Sequence, residues 1–245
     1  MFQHAHFYLA LKWFKSRNAL LCVGSFLPDI AITGIISWDK GLHGKKNVEK
    51  FYGFVAKQYP SHLDLYRGIL AHNVLDNFTH EEYKDKVGYA YQNNETLAKL
   101  VKKYYHLDEK KAARIAHNYI ESGVDINLLK KKPEILRQIR KAIQKVDKSE
   151  LASLLASYFD VDAQKFEKAL SIFFEVFTKY DFAKTENWVH FWKDLEGPLS
   201  LKSISQKEKR ELLDTSLVIT APTYSVFLNY SFKEGLKKIA GYKVG

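Results

Sequence analysis

Apolar residues recur along the chain at the three- and four-residue spacing of an α-helix face, and hardly anywhere at the two-residue spacing of a β-strand. In the first half this pattern predicts helices over residues 2–14, 47–59, 62–81, 94–105 and 108–122. In the second half it predicts basic amphipathic helices within 130–159, a long helix over 162–182, and closing helices over 207–220 and 222–241. The predicted fold class is therefore all-α, a compact multi-helix protein.

The composition agrees with a folded helical protein and excludes several classes. Five prolines and twelve glycines in 245 residues favour helices over a loop-rich β-sandwich. The single cysteine, Cys22, excludes an internal disulfide framework and a cysteine-based zinc site. Its apolar neighbours favour a buried, inert thiol over a nucleophile.

Charge and hydropathy bear on partners and location. The net charge of +10 can attract phosphate-bearing partners such as nucleic acid or anionic lipid, although a lysine-rich solvated surface is the simpler explanation. No run approaches the ~18 apolar residues that a membrane span needs, so we expect no transmembrane segment. The N-terminal stretch does not resemble a signal peptide, and a cytoplasmic location is expected by default.

Two stretches that both open with Ala-His-Asn carry the polar residues of greatest interest. Their side chains recur at four-residue intervals: His72, Asp76 and His80 within 71–82, and His117, Glu121 and Asp125 within 116–126. Positions four apart lie on one face of a helix of ~3.6 residues per turn. Two such helices can converge on one point, and metal ions are the commonest reason to gather imidazoles and carboxylates there.

The remaining candidate ligands also lie in the first 125 residues. They are the N-terminal pair His4 and His6, Asp29 in a Pro-Asp turn, and His43 in the glycine-flanked loop 41–44. Zinc takes imidazole nitrogen and carboxylate oxygen. A lone His-x-x-x-Asp pattern arises often by chance, and His4 and His6 alone could belong to a frayed terminus. Together, however, the residues supply the eight or nine ligands that two or three ions require, whereas a mononuclear site would leave several polar groups buried without partners.

This set resembles the zinc-dependent phospholipase C family and the related zinc nucleases that act on single strands. The family pattern is an N-terminal histidine, a Pro-Asp turn, a loop histidine, a helical His-x-x-x-Asp followed by a histidine, and then His-x-x-x-Asp/Glu. In this chain the pattern falls on His4 or His6, Asp29, His43, His72 with Asp76, His80, and His117 with Glu121. The resemblance covers roughly residues 1–125 and implies an all-α enzyme.

The resemblance also implies a ligand set for each of two to three zinc ions. These sets are Asp29, His43, His72 and Asp76 for one ion; His80, His117 and Glu121, with Asp29 bridging, for a second; and Asp76 with an N-terminal histidine for a third. A water activated by the ions would then attack phosphorus, with Asp29 as the catalytic carboxylate.

The chain departs from the secreted family members at three points. Those enzymes use a mature N-terminal tryptophan as a zinc chelate, whereas this chain starts with Met1, so His4 and His6 are expected to replace that chelate. His80 also follows Asp76 sooner than in the secreted enzymes. Asp125 has no assigned role, and it is interpreted either as an acceptor that fixes an imidazole tautomer or as a surface carboxylate.

The change to a basic, helix-forming sequence near residue 130 has no Gly/Ser/Pro linker. We therefore predict one helical domain over 1–245, with a metal-site half at about 1–128 and a structural half at about 129–245.

The predicted function is metal-dependent hydrolysis of a phosphoester substrate, either a phospholipid or a nucleotide. No stable nucleic-acid partner is expected, and the sequence predicts no particular oligomeric state.

Alternative functions remain open at this point. One is a non-catalytic metal-binding helical protein, which predicts ions fully capped by protein ligands. Another is a nuclease that acts on single-stranded nucleic acid, which would need aromatic side chains and a basic groove. A di-iron carboxylate bundle would usually place Glu-x-x-His on its helices, the reverse of the order here.

Overall fold

The computed structural model describes residues 3–242, and over this part of the chain it contains α-helices and no β-strand. The helices are α1 (Gln3–Phe14), α2 (Ala19–Gly24), α3 (Lys45–Gln58), α4 (Leu63–Asp76), α5 (Tyr89–Gln92), α6 (Glu95–Tyr105), α7 (Glu109–Lys131), α8 (Glu134–Lys145), α9 (Lys148–Phe159), α10 (Ala163–Lys179), α11 (Thr185–Leu195), α12 (Gln206–Thr220) and α13 (Tyr224–Ala240). The all-α prediction is confirmed. Among residues 3–242, none of the helices combines the length with the apolar character that a membrane span requires.

Two differences from the predicted elements matter for the site. Helix α7 continues to Lys131, well beyond the predicted end at residue 122. The predicted helix over 62–81 is α-helical only over Leu63–Asp76, and Asn77–Glu81 forms a π-helical turn. Such turns insert an extra residue into the helical repeat, so His80 is rotated relative to an uninterrupted α-helix. Residue 2 of the predicted first helix lies outside the described residues.

The Pro-Asp segment forms a 3₁₀ helix over Leu27–Thr33, with Pro28 near its start and Gly34 closing it at a φ of 77°. Proline suits this position because its missing N–H would have no helical partner there. The second closing helix begins only at Tyr224, so Pro222 precedes it instead of lying in its first turn. Helix α11 was not predicted from the periodicity.

The chain folds into two compact units, each of which packs mainly within itself. Within the described residues, unit 1 comprises 3–5, Asp76–Glu134 and Tyr180–Ser231, and unit 2 comprises His6–Leu75, Ile135–Lys179 and 232–242. Each unit therefore contains segments from both halves of the sequence. The single-domain organisation stays a prediction.

Unit 1 is built around α7, which packs against α6 and α12. Gly123 permits the close approach of α12, because a Cβ atom at this position would lie 2.7 Å from the carbonyl oxygen of Ser216. The ring of Tyr119 stacks on that of Trp192 with centroids 3.7 Å apart. The middle and C-terminal part of α7 is therefore buried, which fixes the direction of its polar side chains.

In unit 2, helices α2 and α4 touch through two glycines. A Cβ atom on Gly24 would lie 2.3 Å from the carbonyl oxygen of Leu65, and one on Gly68 would lie 2.3 Å from that of Leu21. Only residues without side chains permit this backbone contact. It places the segment that follows α2 beside the last turns of α4, where His72 lies.

Candidate metal centre

The first group of potential ligands, the Asp29 group, consists of Asp29, His43 and His72 in unit 2. The Nε2 atoms of His43 and His72 lie 3.6 and 4.0 Å from Oδ1 of Asp29 and 3.2 Å from each other. One ligand atom from each residue lies within 4.8 Å of the others. The three residues come from the 3₁₀ helix, the loop before α3 and helix α4, so tertiary packing alone assembles them.

A backbone contact orients His72. Its Nδ1 lies 3.0 Å from the carbonyl oxygen of Ser25, which accepts a hydrogen bond and so fixes the proton on Nδ1. The lone pair is then on Nε2, the atom that faces the other two members of the Asp29 group. A carbonyl partner behind the ring is the usual arrangement for a metal-binding histidine.

His43 is held through its neighbours. The Asn73 amide donates from Nδ2 to the carbonyl oxygen of Leu42 at 2.8 Å and accepts from the Gly44 N–H at 2.7 Å. Asn47 donates to the carbonyl oxygen of His43 itself at 3.0 Å. The backbone on both sides of His43 is therefore fixed by two asparagines, one of which is adjacent to His72.

The second group, the Glu121 group, consists of His80, His117 and Glu121 in unit 1. Oε1 of Glu121 lies 2.7 Å from Nε2 of His80 and 3.8 Å from Nε2 of His117. Glu121 is completely buried and lies one turn after His117 on α7. His80 reaches it from the π-helical turn, whose geometry the periodicity did not predict.

Burial and mutual attraction set the protonation states of the Glu121 group. Burial alone would raise the pKa of Glu121, but the hydrogen bond from His80 and the nearby imidazoles lower it to about 2. Burial alone would lower the pKa of His80, but Asp76 and Glu121 raise it to about 9. Burial dominates at His117 and lowers its pKa to about 4. The site thus holds Glu121 ionised and His117 neutral, the forms in which both bind metals.

The Asp29 carboxyl shows the same balance. Its burial favours the neutral acid, but the nearby imidazoles of His43 and His72 hold its pKa well below the usual range. Both groups therefore contain a buried carboxylate that is ionised between two imidazoles. A cation can take the place of the protons that these imidazoles otherwise share with the carboxylate.

A test of fit comes from His117. Its Nδ1 is buried and has no hydrogen-bond partner within residues 3–242. A buried polar atom without a partner costs free energy, on the order of 1–3 kcal/mol. Two imidazoles and an ionised carboxylate are a donor set that zinc takes, and zinc binding would displace the proton that His80 otherwise carries. The residues present therefore fit the predicted metal.

The two N-terminal histidines belong to different units. The His6 ring stacks on that of His72 in unit 2, with centroids 3.9 Å apart and planes 12° from parallel. His4 lies in unit 1, where its Nδ1 is 2.8 Å from Oδ2 of Asp125. The two residues therefore have different surroundings, and the role of either as a zinc ligand stays a prediction. The same holds for the third ion, which needs Asp76 and an N-terminal histidine.

Asp125 is completely buried, so it is not a surface carboxylate. It accepts hydrogen bonds from the backbone N–H groups of His4 and Ala5 at 3.0 and 2.9 Å. These are first-turn N–H groups of α1, which have no partner within the helix. Because a carboxylate only accepts, His4 must carry its proton on Nδ1, which leaves the lone pair on Nε2. The contact suits the predicted role of fixing an imidazole tautomer.

The three remaining histidines lie outside both groups. His62 pairs with Glu150 at 3.2 Å, His106 ends α6 in the left-handed conformation, and His190 is exposed on α11. Sequence reasoning missed Ser25, Asn47 and Asn73. Of these, only Asn73 carried a signal, since it belongs to an Ala-His-Asn motif, but the periodicity could not show what its amide contacts.

Comparison with known families gives one finding. A family described as zinc dependent phospholipase C matches residues 1–171, which extends beyond the 1–125 expected from the motifs. Comparisons with curated proteins and with solved structures give no match. The match spans well over half of the sequence and includes every candidate ligand, and the chain therefore belongs to the zinc-dependent phospholipase C family.

Proposed function

We propose that this protein hydrolyses the phosphodiester bond of a phospholipid and uses two to three zinc ions to do so. The observation that carries the proposal is the Asp29 group, in which a buried, ionised carboxylate faces the Nε2 atoms of His43 and His72. Family membership supports the reaction class.

Each group would hold one zinc ion: Asp29, His43 and His72 one, and His80, His117 and Glu121 another. When bound, zinc supplies Lewis acidity, which neutralises charge developing on phosphoryl oxygens and lowers the pKa of water. The third ion of the predicted set would need Asp76 with His4 or His6.

The chain's own residues would contribute position and protonation state. The Ser25 carbonyl keeps the proton of His72 on Nδ1, and the Asn73 amide keeps His43 turned toward Asp29. We assign Asp29 the central catalytic position. Burial of the two carboxylates, Asp29 and Glu121, excludes the water that would otherwise solvate them, so that their charge acts on whatever cation occupies the site.

The first experiment combines metal analysis with an activity screen. Purified, metal-replete protein should contain two to three zinc equivalents and should hydrolyse bis-p-nitrophenyl phosphate. His72→Ala and Asp76→Ala should abolish hydrolysis, and His106→Ala, which alters a histidine outside both groups, should not. Equal activity of the three variants would reject the assignment.

Two matched variants test whether the groups bind ions separately. Asp29→Asn and Glu121→Gln each remove one buried negative charge at nearly constant volume. Each should lower the zinc content by about one equivalent, and the double variant by about two. If either single variant loses all zinc while its circular dichroism is unchanged, the groups do not bind independently.

A substrate screen separates the remaining functions. Phospholipids, phosphomonoesters and single-stranded oligonucleotides should be offered to the same zinc-loaded preparation. We expect release of a phosphorylated headgroup from phospholipid as the fastest reaction. Cleavage of oligonucleotides alone would instead favour the nuclease, and full zinc loading without any hydrolysis would favour the non-catalytic metal-binding protein.

A further inference from the structure

A short exposed segment lies beside His43 in unit 2. Residues 37–40, which we call the indole tip, are all exposed, whereas Ile36 before it and Leu42 after it are buried. At its centre Trp38 is 50% exposed, and its ring centroid lies 5.3 Å from that of His43. The tip is thus next to a member of the Asp29 group.

The indole tip is held in a defined shape. The N–H groups of Lys40 and Gly41 donate to the carbonyl oxygens of Ser37 and Trp38 at 3.2 and 3.4 Å, which forms two overlapping turns. The Asn47 amide also donates to the carbonyl oxygen of Asp39, at 3.3 Å. Because its backbone is fixed in this way, the tip can present Trp38 without an additional loss of conformational entropy.

Trp38 differs from every other aromatic residue in the described part of the chain. The other three tryptophans are at most 7% exposed, and each phenylalanine and tyrosine between residues 3 and 242 is buried or half-buried. Burial of an exposed indole in an apolar environment is favourable, since it removes apolar surface from water. Tryptophan is enriched at the interface between water and lipid, because its ring system is largely apolar and its N–H is polar.

Exposed lysines lie close to the indole tip in the sequence. Lys40, Lys45 and Lys46 are exposed, with Asp39 as the acidic residue among residues 37–46. Within residues 3–242, Lys40 and Lys46 form no ion pair, and the Lys45 ammonium lies 3.8 Å from an exposed Glu49 carboxylate, a weak contact. Lysines next to an interfacial tryptophan are the combination that binds anionic lipid headgroups.

We propose that the indole tip, together with Lys45 and Lys46, forms the surface by which this protein binds an anionic phospholipid bilayer, with Trp38 entering the headgroup region and the lysines contacting lipid phosphates. This rests on the proposed function, to which it adds an interfacial substrate. A single-stranded nucleic acid would need successive aromatic rings on which its bases stack, and the segment offers one. The bilayer is therefore the partner that the residues favour.

The first test uses the intrinsic tryptophan fluorescence, of which Trp38, as the exposed indole among the four tryptophans, is the part that iodide can quench. Zinc-loaded protein is titrated with vesicles of phosphatidylcholine, with vesicles that also contain phosphatidylglycerol, and with a single-stranded oligonucleotide. The anionic vesicles should shift the emission to shorter wavelength and protect it from iodide quenching. No shift with either type of vesicle, or a shift with the oligonucleotide alone, would overturn the proposal.

The second test measures binding by co-sedimentation with vesicles, which does not depend on the fluorophore. Trp38→Ala should weaken binding to anionic vesicles on the order of tenfold, since it removes the apolar contact. Lys40→Glu/Lys46→Glu should weaken it by at least about tenfold at low salt and much less at high salt. Val218→Ala, which alters a 75% exposed apolar residue of unit 1, is the matched control and should bind like wild type. Equal binding by all variants would reject the surface.

The same experiment separates this proposal from the proposed function. Asp29→Asn should lose hydrolysis and still bind anionic vesicles, because Asp29 is buried and belongs neither to the indole tip nor to the lysines beside it. If wild-type protein hydrolyses bis-p-nitrophenyl phosphate but does not bind vesicles, only the proposal of a bilayer-binding surface is overturned. Wild-type protein that binds vesicles through Trp38 but hydrolyses no phosphodiester would overturn only the proposed function.

Discussion

Asn73 holds the main chain on both sides of His43, because its amide donates to the carbonyl oxygen of Leu42 and accepts from the N–H of Gly44. A third bond, from Nδ2 to the carbonyl oxygen of Ile69 at 2.9 Å, ties the amide to its own helix. Asn73, which is adjacent to His72 in the chain, therefore positions His43, the other histidine of the Asp29 group. The Ala-His-Asn motif at 71–73 thus contains a candidate metal ligand, His72, and next to it the residue that positions His43.

From this relationship we predict that Asn73→Ala weakens zinc binding at the Asp29 group. Residues that orient metal ligands are typically worth about 10–100-fold in affinity. Competition with a chelator of known affinity measures the change. The control is Asn118→Ala in the second Ala-His-Asn motif, because no side-chain hydrogen bond of Asn118 occurs within residues 3–242. Equal losses in the two variants would contradict a positioning role for Asn73.

The second prediction concerns Asp125 and the start of α1. Asp125→Asn should lower the free energy of unfolding by about 2–3 kcal/mol, because the amide NH₂ would face the N–H and Nδ1–H of His4, which need an acceptor. Urea denaturation followed by circular dichroism measures it. Asp108→Ala removes an exposed N-cap that accepts from the N–H of Lys111 and should cost only about 1 kcal/mol. A smaller loss for Asp125→Asn than for Asp108→Ala would be inconsistent with the buried contact.

The third prediction concerns a buried ion pair in unit 1. Lys209 and Glu196 are both buried, and their charged groups lie 2.7 Å apart. Lys209→Met should destabilise the protein by about 3–5 kcal/mol, since it leaves the Glu196 charge buried without its partner. The exposed pair Glu234–Lys237 provides the control, and Lys237→Met should change stability by less than about 1 kcal/mol. Similar midpoints of denaturation for the two variants would show that Glu196 is solvated.

The fourth prediction concerns Cys22. The thiol is 3% exposed, and burial raises its pKa to about 12. At pH 8 only about one molecule in 10⁴ carries the reactive thiolate. Native protein should therefore resist iodoacetamide for hours, while protein in guanidinium chloride should take up one equivalent. Rapid modification of the native protein, measured by mass spectrometry, would show that this part of α2 opens readily.

Local pattern was sufficient for most helices but not for their irregular parts. The spacing of apolar residues predicted α3, α6 and α10 closely, because each buries one face and exposes the other. The same spacing predicted a helix that ends at residue 122, just before Gly123, whereas α7 continues to Lys131. That glycine is instead required for contact with α12, and contacts between distant segments leave no local periodicity.

The sequence by itself determined the helical class and the inventory of ligands, because helical spacing and residue chemistry are properties of short stretches. His72, Asp76, His117 and Glu121 could be found in this way. Tertiary structure decided that His43 joins His72 and Asp29, that His4 contacts Asp125 while His6 stacks on His72, and that Trp38 stays exposed. These outcomes depend on the close packing of helices and the hydrogen bonding of loops, which bring together residues far apart in the chain.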